Sequence, residues 1–120
     1  MLRFVVLTHD YPDWHWDFML ESEGALRTWR LDQDPSLTIP IQATPLSDHR
    51  LSYLDYEGPV SGQRGEVRRW DQGQYEMLSE ADGDLAVVVH GTRLWGRARL
   101  TVAENNSTWF RFSPEIPDQG

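Results

Sequence analysis

Trp14-His15-Trp16-Asp17-Phe18-Met19-Leu20-Glu21 carries an aromatic or aliphatic residue at every second position, the period of a half-buried β-strand. Side chains alternate across a strand, so Trp14, Trp16, Phe18 and Leu20 share one face, and His15, Asp17, Met19 and Glu21 the other. The aromatic face is expected to pack a core, which leaves His15 and Asp17 side by side over a pocket. Upstream, residues 2–8 read as a second strand rich in Val, Leu and Phe, and Pro12 between Asp10 and Asp13 reads as the turn joining the two. A hairpin of that kind returns His15 and Asp17 towards His9. Two imidazoles and one carboxylate suit Mn, Fe, Zn or a related divalent ion, and three protein ligands leave positions open for water or substrate. A histidine held by hydrogen bonds beside a surface carboxylate is the alternative that needs no metal.

Working outward, short strand-like runs at 2–8, 14–21, 26–31, 65–70, 74–78, 85–90, 94–102 and 109–112 are separated by Gly, Pro, Asp and Asn turn signals. That cadence predicts an all-β fold, a small closed or partly open β-barrel with short flanking loops or helical turns, rather than a βαβ sheet. Residues 34–45 contain Pro35, Pro40 and Pro45, and read as a loop over the surface or across a barrel mouth. There is no internal repeat. A single domain is expected over residues 1–112, with a loose tail over 113–120.

A chain of 120 residues, 39% hydrophobic and with six tryptophans, is long enough for one domain with a core of its own. Cysteine is absent, which excludes disulfides and thiolate metal sites. The first residues enter a strand pattern without a basic region or a long apolar segment, so neither a signal peptide nor a membrane span is expected, and the cytoplasm is the expected address. Net charge is −8, all eleven basic residues are arginine, and such a surface repels a phosphate backbone, arguing against tight nonspecific nucleic-acid binding.

With these residues in view, the chain resembles the 3′-phosphoesterase domain of bacterial DNA ligase D, the end-healing module of the nonhomologous end-joining ligase. The ordered set that carries the resemblance starts with Phe4-Val5-Val6, His9, His15, Asp17, Phe18, Leu20 and Glu21, then Gly24, Leu26 and Trp29. It continues with Pro35-Ser36-Leu37, Asp48-His49, Leu51, Tyr53 and Glu57-Gly58, then Trp70-Asp71, Gly73, His90-Gly91, Leu94, Gly96 and Trp109. The resemblance implies a compact β-barrel and a DNA-repair hydrolase that removes 3′-phosphates or 3′-ribonucleotides. It implies a divalent metal, usually manganese, at His9, His15 and Asp17. It also implies His49 at the scissile phosphate as general acid or transition-state stabiliser, and Tyr53 as a hydrogen-bond donor to a phosphate oxygen. A nucleic-acid 3′ end is the implied partner, with ligase and polymerase activities coming from separate proteins and no membrane involved.

Three departures stand against that pattern. Met19 occupies the position of a phosphate-clamping arginine, Gln33 that of a lysine, and Ile41 or Gln42 that of a loop arginine. Each hydrogen bond to a charged group contributes about 1.5–3 kcal/mol, so phosphate handling is expected to suffer unless another cation takes over. Arg50, Arg30 and Arg27 are the sequence candidates for that substitution, and Arg64, Arg68 and Arg69 form the one local basic concentration. Three readings remain: a phosphoesterase that retains the metal, acting on the family substrate or on another phosphoester; a noncatalytic metal-binding or protein-interaction module; and, last, a non-haem iron oxygenase, whose facial triad uses the same ligand types.

Overall fold

The computed structural model describes residues 1–114. Among the described residues nine antiparallel strands make up the fold: β1 (Leu2–His9), β2 (His15–Ser22), β3 (Ala25–Leu31), β4 (Ile41–His49), β5 (Gly58–Pro59), β6 (Glu66–Ala81), β7 (Asp84–His90), β8 (Trp95–Val102) and β9 (Thr108–Ser113). They lie in the order β1-β2-β3-β4-β9-β8-β7-β6-β5, and β1 also pairs with β6, which closes eight strands into a barrel and leaves β5 outside on β6. The hairpins β2–β3 and β6–β7 turn at Glu23-Gly24 and Asp82-Gly83, with positive φ at both residues of each turn. That backbone matches the right-handed twist of the strands it joins. A 3-10 turn at Leu51–Leu54 is the helical element among the described residues, and no described helix is long and apolar enough to cross a membrane.

Alternation along the strands divides the apolar residues between two cores. Phe4, Val6, Phe18, Leu20, Leu100 and Phe110 belong to the cluster that fills the barrel. Phe18 lies centrally in it, 5.1 Å from Phe110 and 6.3 Å from both Phe4 and Trp29 between ring centroids. The opposite faces of β1 and β2 carry Val5, Leu7 and Met19, which pack with Leu26, Leu54 and Val67 under the Leu51–Leu54 turn. Strand β2 is therefore buried on both faces rather than half-buried. Trp14, expected on the core face, is 58% exposed, because it precedes the first paired residue of β2 and only edges against Trp16.

Two expectations about elements need correction. The loop expected over 34–45 ends at Pro40, since Ile41–His49 is a strand, with Ile41 and Ala43 buried and Gln42 and Thr44 exposed. Pro45 is tolerated there because the β4–β9 ladder covers only Ile41 to Ala43, so its missing N–H falls where β4 has a single neighbour. The runs at 65–70 and 74–78 are one strand of 16 residues, whose first half pairs with β1 and second half with β7. At the C-terminus Ser113 is the last residue of β9, and residues 115–120 of the expected tail lie outside the described residues.

Candidate metal centre

The β1–β2 hairpin sets His9 directly opposite His15 and Leu7 opposite Asp17, so the two imidazoles and the carboxylate share the outer face of the barrel wall. One ligand atom from each of His9, His15 and Asp17 falls within 4.8 Å of the others. His9 Nδ1 lies 3.6 Å from Asp17 Oδ2 and His15 Nε2 lies 3.2 Å from Asp17 Oδ1.

Backbone carbonyls fix the ring orientations. His15 Nδ1 is 2.8 Å from the Asp13 carbonyl and His9 Nε2 is 2.8 Å from the Arg64 carbonyl. A carbonyl oxygen only accepts, so each of these nitrogens carries the proton, and the lone pairs of His15 Nε2 and His9 Nδ1 face Asp17. Asp17 is 3% exposed, and its Oδ1 has no aligned hydrogen-bond donor despite the nearby imidazole nitrogen. With both rings neutral, three lone-pair donors converge here, one of them a buried orphan oxygen, and such a set fits a divalent ion. Burial opposes a charge on His15, but the Asp17 carboxylate and the Asp13 carbonyl outweigh that cost and raise its pKa above the usual imidazole value, with Arg30 pulling the other way.

The turn at 10–14 is anchored across the barrel wall. Asp10 Oδ1 accepts the Glu66 backbone N–H at 2.8 Å, which brings the loop before β6 against the turn that follows His9. Gly65, at φ +77°, permits the meeting, because a Cβ there would stand 2.2 Å from Asp10 Oδ1 and 2.6 Å from Tyr11 Cβ.

A cavity of about 670 Å³ opens over the three candidate ligands, lined among others by His9, His15, Asp17, Arg30, His49 and Tyr53, with Leu7, Met19 and Val67 as apolar lining. His49 Nδ1 donates to the Ser47 carbonyl at 2.9 Å, so Nε2 is the atom left for a ligand. The His49 and Tyr53 rings pack edge to face at 5.8 Å, and Tyr56 packs against Tyr53 at the same distance. Of the arginines named from sequence, Arg30 and Arg50 line the cavity, whereas Arg27 pairs with Glu80 at 2.8 Å and lies along a separate groove. In the basic concentration Arg64 lines the cavity, its side chain bound to Ser61, and Arg68 is ion-paired with Glu66. Sequence reasoning missed Tyr56 as a wall residue, and the carbonyls of Asp13, Ser47 and Arg64 as the groups that orient the histidines. A main-chain acceptor leaves no residue-type signal.

The family described as DNA Ligase D 3'-phosphoesterase domain matches residues 7–102. The "Multifunctional non-homologous end joining protein LigD" of Pseudomonas aeruginosa is 32% identical over 123 residues, covering 92% of this chain and 15% of that protein. The "Multifunctional non-homologous end joining DNA repair protein LigD" of Mycobacterium tuberculosis is 32% identical over 115 residues, covering 88% of this chain and again 15% of the relative. The relative from Mycolicibacterium smegmatis is 27% identical over 114 residues. This chain therefore spans 15% of the length of the curated relatives it matches. A family match over most of the chain, on a closed barrel that gathers the matched histidines and aspartate, leads to one conclusion: the chain belongs to the DNA ligase D 3′-phosphoesterase domain family.

Proposed function

We propose that this protein is a divalent-metal-dependent phosphoesterase that removes a 3′-phosphate or 3′-ribonucleotide from a DNA end, with manganese as the working ion. The observation that carries the reading is the opening of His9, His15, Asp17, His49 and Tyr53 onto one cavity. A divalent ion held by His9 Nδ1, His15 Nε2 and Asp17 supplies Lewis acidity towards the phosphoryl group and acidifies bound water.

The remaining chemistry belongs to the chain's own side chains. His49, with Nδ1 committed to the Ser47 carbonyl, offers Nε2 either as an acid that protonates the leaving oxygen or as a donor to a phosphate oxygen. The Tyr53 hydroxyl is a second donor, and its ring is braced between His49 and Tyr56. The apolar lining from Leu7, Met19 and Val67 lowers the local dielectric, which strengthens each of these contacts.

Met19 favours a second reading, a noncatalytic metal-binding or protein-interaction module. It is 1% exposed and apolar where the family places a phosphate-clamping arginine. Hydrolysis of a 3′-phosphorylated primer-template separates the two. Under the first reading phosphate is released only with manganese present, His9→Ala abolishes release, and His49→Ala lowers kcat by about a hundredfold or more while metal stays bound. Stoichiometric metal without phosphate release would leave a noncatalytic module or a hydrolase retargeted to another phosphoester.

A further inference from the structure

We propose that Arg30 supplies the anion clamp of this site, so that the guanidinium contributed in the family by the ligand-bearing strand comes here from its neighbour, β3. The inference rests on the phosphoesterase reading of the cavity. In the β2–β3 ladder Asp17 is paired with Arg30, and Met19 with Thr28. Directly paired residues of antiparallel strands project to the same face, so Arg30 stands beside Asp17 on the cavity side of the barrel wall. It lines the cavity with the metal ligands, and its charge reaches His15.

The surroundings leave the guanidinium available. Beyond Asp17, its cross-strand partner, its ion-pair partner among the described residues is Asp32, whose Oδ1 lies 3.5 Å from Nε on a carboxylate that is 48% exposed. Such a partly solvated contact steers the side chain while holding it weakly, and both Nη nitrogens remain for a planar, two-point grip on a phosphate. The other arginines on the cavity are less suited. Arg64 binds Ser61 in its own loop through Nε and Nη2, and Arg50 stands on an exposed segment at the start of the Leu51–Leu54 turn, where its side chain makes no capping hydrogen bond. Arg30 alone among them stands on a strand paired on both sides, and a strand places a charge more precisely than a loop does.

The test is calorimetric binding of thymidine 3′-phosphate to the manganese-loaded protein and to its Arg30→Ala, Arg30→Gln, Arg30→Lys and Arg99→Ala variants. Thermal unfolding and manganese stoichiometry are measured on each. We expect Arg30→Ala and Arg30→Gln to weaken binding by about tenfold or more, Arg30→Lys to restore part of it, and Arg99→Ala, on the exposed outer face of β8, to leave it unchanged. Manganese affinity should hold or rise in the neutral variants, because a nearby cation opposes a metal ion. Wild-type affinity in folded Arg30→Ala and Arg30→Gln would overturn the clamp, and so would loss of manganese from them. Absence of binding by the wild type would overturn both the clamp and the phosphoesterase reading. Arg30-dependent binding without hydrolysis of the primer-template would sink the phosphoesterase reading and leave the clamp standing.

Discussion

At the scale of single residues, the proposed metal centre depends on which nitrogen of each histidine carries its proton. His15 has a raised pKa, which lets a proton take the place of an ion. The proton it gains on folding stabilises the metal-free protein fully below the unfolded-state pKa, and that contribution is lost as pH rises through the higher folded-state value. Metal binding needs the neutral ring, so manganese affinity should climb across the same interval and then level off. Titrations from about pH 5 to about pH 8 would show it. Affinity that stayed flat there would remove the proton competition. His15→Ala should weaken manganese binding by more than about a hundredfold, beyond the loss typical of residues that merely orient a ligand. The gathering of His9, His15 and Asp17 was legible from sequence because alternation along 14–21 and a turn at Pro12 suffice to bring His15 and Asp17 to His9. The place of Arg30 was not, because it depends on the register between β2 and β3, which sequence spacing leaves open.

At the scale of elements, most strands could be read from apolar alternation, and both errors came from residues that serve two purposes. Asp71-Gln72-Gly73 looks like a turn and divides β6 in the sequence reading. Asp71 instead points its carboxylate across to the β7–β8 connection and accepts the backbone N–H groups of Thr92, Arg93 and Leu94 at 2.8 to 3.1 Å, as well as that of Gln72. Gly73 is small because a Cβ would stand 2.1 Å from the His90 carbonyl. The matched Trp70-Asp71 and His90-Gly91 pairs are thus part of the barrel's construction. Asp71→Asn replaces a fully engaged carboxylate with a group that aims donors at donors, and should lower stability by about 3 kcal/mol in urea unfolding. A change below about 0.5 kcal/mol would show that the connection holds without it. Likewise the three prolines of 34–45 masked β4, whose first residues obey strand alternation and whose Pro45 sits beyond the reach of β9.

At the scale of the whole molecule, the barrel interior and the site are served by different apolar clusters on opposite sides of one wall. Phe110→Ala opens a hole in the interior cluster and should cost about 3–5 kcal/mol, while the protein that remains folded keeps its manganese affinity. Chemical denaturation and metal titration on the same sample would check both halves, and a fall in affinity would mean that the wall does not insulate the site. The barrel was legible because eight closing strands need only short apolar runs and turns. The second cluster was not, because it forms when the turn at Leu51–Leu54 folds back on strands far from it in sequence. Because the barrel's bore is packed with hydrocarbon and the histidines hang on its outside, whatever the cavity grips arrives sideways from solvent. The barrel's diameter therefore sets no ceiling on ligand length: a long polymer could lie along the wall with only its terminus in the cavity.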